Sequence, residues 1–165
     1  MRTIFAAMAL VLLTAGQAQA GSGDRSTRSG SATARVVAPL VLVHNNGFVL
    51  RFGRFTAASA GTVTVPNTGA ATTSGGVTFV TGSTTATDRF TAFGDPNRLI
   101  GITTGAGAVS AGSNAMTFTT VPMLPAGYIP FTGSGYFTVG GTLNVNAGQT
   151  PGSYTGSYTV NVTYN

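Results

Sequence analysis

Between Gly152 and Asn165 the chain alternates without a break. Tyr154, Tyr158, Val160, Val162 and Tyr164 hold even positions with Gly156, while Ser153, Thr155, Ser157, Thr159, Asn161, Thr163 and Asn165 hold the odd ones. Successive side chains of a strand point to opposite faces, so the pattern predicts one long, half-buried strand. Its tyrosines either cover the core with their hydroxyls at the rim, or form an exposed aromatic row able to bind sugar rings.

The same period recurs upstream. In Ala32–Val43, Ala32, Ala34, Val36, Ala38, Leu40 and Leu42 share one face, which predicts a first strand. Pro39 removes a ladder donor and predicts an edge position or a break. His44-Asn45-Asn46-Gly47 reads as a hairpin turn tying this strand to Phe48–Phe52. Shorter strands follow at Gly61–Val65, Gly76–Thr81, Phe90–Gly94, Leu99–Ile102, Met116–Val121 and Tyr136–Val145. Gly105–Asn114 reads as a loop, Pro122 as a strand end, and Gly140-Gly141 as a bulge or a close backbone approach. Eight or nine short strands between Gly/Pro-rich turns predict an all-β antiparallel sandwich over residues 32–165. The uneven loop lengths favour the sandwich over a closed barrel.

Composition sharpens this picture. The chain has 165 residues, 24 of them Gly, and neither Glu nor Lys, so helix surface formers are scarce. It begins with an export address: Arg2, the apolar run Ile4–Leu13, and Ala18-Gln19-Ala20, which predicts a signal peptide over 1–20 cut after Ala20. The apolar run is too short for a stable bilayer span, and no later segment reads as one. Residues 21–31 lack large apolar groups and read as a flexible leader. The expected location is the periplasm, cell surface or exterior of a Gram-negative-type bacterium. Without cysteine there is no disulfide framework.

Charge excludes more than it assigns. The net charge is +5, from eight Arg against three Asp. The arginines are scattered, which argues against a nucleic-acid partner. The inventory for proton transfer is one His and three Asp, so no catalytic set, metal site or cofactor site is expected. His44 reads as a solvated turn residue and Asp95, before Pro96, as a turn former.

Leu50-Arg51-Phe52-Gly53, Gly61-Thr62-Val63-Thr64-Val65, Phe137-Thr138-Val139-Gly140-Gly141-Thr142-Leu143 and the closing motif from Gly152 to Tyr164-Asn165 resemble a secreted bacterial family, domain of unknown function 4402. The ending is also similar to chaperone-usher pilins and to spore-coat-protein-U-like pilins, which usually carry cysteines. Those resemblances imply an immunoglobulin-like sandwich and assembly into surface fibres. The implied partners are copies of the chain or other pilin-like subunits, and a periplasmic chaperone. Assembly of that kind proceeds by strand addition to an open sheet edge. Val36, Ala38, Leu40 and Leu42 are the candidate donor positions, and Tyr154, Tyr158, Val160, Val162 and Tyr164 the candidate contact strand. Whether Ala32–Val43 is the domain's own first strand or a donor to a neighbour is open from the sequence. So is the alternative of a carbohydrate- or matrix-binding module.

Overall fold

A computed structural model describes residues 27–124, 127–130 and 132–165. The predicted signal peptide and the leader up to residue 26 lie outside the described residues. The chain divides into two units, Met1–Arg35 and Val36–Asn165. Of the first, residues 27–35 are exposed and belong to no strand. The second holds ten strands and, among the described residues, no helix: β1 (Val41–His44), β2 (Phe55–Val65), β3 (Thr72–Phe79), β4 (Asp88–Phe93), β5 (Ile100–Thr104), β6 (Gly107–Ala111), β7 (Asn114–Met123), β8 (Ser134–Val145), β9 (Thr155–Ser157) and β10 (Val160–Tyr164). All pairs are antiparallel, and the fold is an all-β, sandwich-like one built of curled sheets.

The larger sheet runs β1-β4-β8-β7-β6-β9, with β2 and β3 attached through β8; β5 and β10 form a second, two-stranded sheet. β8 organises the whole. One edge pairs with β7 from Thr138 to Leu143. The other pairs with β4 over Ser134–Val139 and then with β2 over Gly141–Val145. The handover falls at Gly140-Gly141. A side chain on Gly140 would run into the Val65 carbonyl and one on Gly141 into the Thr119 carbonyl, so only glycine permits the approach predicted there.

Two apolar clusters fill the fold. Phe52, Val63, Val65, Val77, Met116, Phe118, Leu143 and Val145 make the larger. Ala92, Ile100 and Ile129 make the smaller, with Leu40, Ile102, Val162 and Tyr164 packed against it.

Several expectations are corrected. Only Val41–Val43 of the predicted first strand enter a ladder, together with His44 of the predicted turn. The partner strand β4 ends at Phe93, opposite Val41, so nothing remains for earlier residues to pair with. β1 lies at the end of the sheet, where Pro39 just upstream takes no ladder donor away. The Asn45–Gly47 turn forms, with Phe48 N–H donating to Asn45 O at 3.2 Å, but the chain does not fold back on β1. It leaves to seat Phe52 in the larger cluster, and its backbone pairs at the isolated Arg51–Ala86 bridge, outside the strands. Gly105–Asn114 contains β6, which β7 and β9 hold from either side. β7 runs through Pro122 to Met123; beyond Phe118 its outer edge has left β6 behind, so a missing N–H costs no ladder bond.

The closing stretch is also not one uninterrupted strand. It pairs with residues between Ile100 and Ser110 along its course, as β9 on β6 and β10 on β5. Between them the three residues Gly105–Gly107 oppose Tyr158 and Thr159, a bulge that turns the chain from one sheet to the other.

Candidate functional site: an apolar groove between open strand edges

An extensive concavity lies over the larger cluster. Phe52, Met116, Phe118 and Leu143 are buried members of that cluster that reach its floor. Phe52 and Phe118 meet there with ring centroids 5.6 Å apart. The segment Val49–Ala57 forms one wall and Gln149–Tyr158 the other, enclosing a groove of about 1050 Å³.

Both walls carry backbone that the ladders leave open. β2 joins β3 from Phe55, but joins β8 only from Gly61 onward, after a register shift between Ala57 and Gly61. Phe55–Ala57 therefore have one ladder partner. β9 pairs with β6 alone, so the far edge of Thr155–Ser157 has no ladder partner among the described residues. A groove with an apolar floor and two open edges is the shape an extended peptide fills by pairing with both edges. Arg51 and Arg54 stand exposed on its rim.

One end of the groove is closed by a polar cluster that the sequence reading missed. Asp88, the first residue of β4, is 5% exposed. Its Oδ1 accepts from Arg89 N–H at 2.7 Å and lies 2.7 Å from His44 Nε2; its Oδ2 accepts from the Tyr158 hydroxyl at 2.8 Å. An ionised carboxylate only accepts, so Nε2 carries a proton. His44 is thus the tethered last residue of β1, not a free turn residue, although its side chain stays 46% exposed. Burial, the Asp88 hydrogen bond and the Asp88 charge all push the Tyr158 phenol well above its usual range. Phe90 sits beneath, with ring centroids 4.9 Å from His44, 5.5 Å from Phe137 and 6.4 Å from Tyr158. The cluster pins the ends of β1 and β4 to the closing stretch. The signal for it was present: Asp88 shares the period-two face of Phe90 and Ala92, which points inward.

The nominated assembly residues divide. Tyr154 and Tyr158 line the groove, and the Tyr154 hydroxyl donates to Thr150 O at 2.7 Å and accepts from Gln149 Nε2 at 2.8 Å. Val160, Val162 and Tyr164 lie in the other sheet, the latter two against the smaller cluster. The Tyr164 hydroxyl accepts from Asp95 N–H at 2.7 Å and donates to Ala38 O at 2.9 Å. Leu40 packs on the smaller cluster, Leu42 pairs with Ala92 in β1, and Val36 is 96% exposed. Among the described residues, no group of three or more His, Cys, Asp or Glu side chains gathers that could hold a metal ion.

A family model described as Domain of unknown function (DUF4402) matches residues 42–164, a span that includes the groove and the Asp88 cluster. No curated protein and no solved structure matches the chain. With the match covering nearly every strand of the fold, this chain belongs to the DUF4402 family.

Proposed function

We propose that this protein is an exported structural subunit of a cell-surface fibre, assembled by strand complementation between copies. The observation that carries the reading is the groove: its floor is core, and each wall carries a strand edge with no ladder partner among the described residues. The donor is the segment around Ala32, Ala34 and Val36, upstream of the Ala38 carbonyl that Tyr164 holds, and its small alternating side chains suit a floor already crowded by Phe52 and Phe118. Leu40 and Leu42 remain with their own subunit as its anchor. A wall as long as Leu50–Ala57 spans on the order of 25 Å at the usual rise of a strand, room for one donor segment. The export address, the lack of a catalytic inventory and the pilin-like ending support the same reading. A periplasmic chaperone fits as the occupant of the groove before assembly.

The chain has no cysteine, so introduced ones are unique. Val36→Cys and Ser157→Cys are placed in separate, differently tagged chains comprising residues 21–165 and mixed under oxidising conditions. The expected product is a disulfide joining the two tags, with fibres of the parent protein visible by electron microscopy. Strictly monomeric protein with no mixed disulfide would sink the proposal.

A further inference from the structure

The outer face of the β1–β4–β8 layer carries a second, separate pocket. Arg89 and Thr91 on β4, Tyr136 on β8 and Asn45 just after β1 line a concavity of about 410 Å³, with Tyr128 at its side. The Arg89 guanidinium lies 3.8 Å from the centroid of the Tyr136 ring and 5.4 Å from that of Phe48. It is held in place before any ligand arrives, which lowers the ordering cost of binding. Its Nε is buried and has no hydrogen-bond partner, and among the described residues no carboxylate forms an ion pair with it. The adjacent Asp88 points to the opposite face of the strand, committed to His44 and Tyr158. Asn45 Oδ1 accepts from the Thr91 hydroxyl at 2.9 Å, which leaves the Asn45 Nδ2 donors for a ligand. Tyr128, 40% exposed, offers a ring face beside these donors, and Tyr136, 49% exposed, offers the part of its ring that the guanidinium leaves open.

We infer that this pocket binds a carboxylate-bearing sugar, such as a uronate unit of an acidic polysaccharide. A fixed guanidinium matches the planar fork of a carboxylate, and exposed aromatic faces match the C–H face of a pyranose ring. The donors converge from β4 and from the turn after β1, and among the described residues no acid is paired with them. The chain's positive net charge draws polyanionic glycans toward it. The inference does not depend on fibre assembly, because the pocket lies on the sheet face opposite the Asp88 cluster that ends the groove.

The test is calorimetric titration of residues 21–165 with trigalacturonate, the matching neutral trigalactose, and triglutamate. Trigalacturonate is expected to bind at least about tenfold more tightly than either comparator, since the neutral sugar leaves Arg89 unpaired and the peptide lacks the ring. Its binding is expected to weaken as salt rises. Arg89→Gln is expected to abolish the preference for the acidic sugar. Tyr136→Ser, on the exposed face, is expected to weaken both sugars while the circular dichroism spectrum stays that of the parent. If Arg89→Gln does not fold, Arg89→Lys is read instead and is expected to lose most of the discrimination, because an ammonium lacks the fork. No binding of trigalacturonate, equal binding of the neutral sugar, or equal or tighter binding of triglutamate overturns the inference.

Discussion

Asp88 shows how a single buried charge is made tolerable. A carboxylate 5% exposed is costly unless donors surround it, and here a backbone N–H, an imidazole N–H and a phenol supply three. Replacing Asp88 by Ala leaves those donors without their acceptor and is expected to cost about 2–4 kcal/mol in urea denaturation, whereas Asp88→Asn, which keeps one acceptor oxygen, should cost less. Tyr158 supplies a pH test. Its phenol is raised in the fold, so the unfolded chain gives up that proton first, near the ordinary value of about 10. The stabilisation from Tyr158 is therefore fully present below that pH and is lost as pH climbs above it. At neutral pH, Tyr158→Phe should be less stable than the parent by about 1–2 kcal/mol, because one Asp88 oxygen loses its donor. Above pH 10 the gap should narrow, a difference curve that cancels the other tyrosines. A gap that widens instead would show that the phenol is not held protonated by the fold.

Strands with a strict period were legible, and those made by their neighbours were not. Gly61–Val65, Phe90–Gly94 and Tyr136–Val145 declare an inward face, and all but Gly94 recur within β2, β4 and β8. β6, Gly-Ala-Val-Ser-Ala, has little strand propensity of its own and exists because β7 and β9 hydrogen-bond to both its edges. The bulge opposite Tyr158-Thr159 was hidden for a related reason: it adds its residue on the partner, so alternation in the closing stretch is undisturbed. The groove was the least legible feature. It is defined by what β2 and β9 fail to pair with, and alternation tells which way a side chain points but not which edge stays open. Gly140 is where an element fails most easily. A methyl there would meet the Val65 carbonyl at the point where β8 changes partner from β4 to β2, and backbone cannot yield as a side chain can. Gly140→Ala is expected to cost about 2–4 kcal/mol, read as a lowered urea midpoint, whereas Gly148→Ala, in an open turn with φ +67°, should cost only the smaller penalty of a left-handed backbone.

At the scale of the molecule, the groove is unfinished core. Phe52, Met116, Phe118 and Leu143 are already buried from within, yet their outer surfaces line a space of about 1050 Å³ rather than another layer of side chains. Two strand edges border that space, so a segment entering it gains main-chain hydrogen bonds on both sides as well as apolar contact. Supplied by another molecule, such a segment costs association entropy; supplied by the same chain, it does not. Residues 32–38 appended after Asn165 through a flexible Gly/Ser linker of about 20 residues, whose mean span is about 25 Å, should therefore seat in the groove of their own molecule. The expected protein is monomeric by light scattering, forms no fibres, and melts about 5–10 °C above the parent, the shift that one to two kcal/mol produces in a domain of this size. Replacing the appended Val36 equivalent by Asp should remove the gain, because a charge would then face the Phe52 and Phe118 rings. An appended segment that leaves both melting temperature and association unchanged would mean that the open edges are not an acceptor site, and the fibre proposal would fall with them.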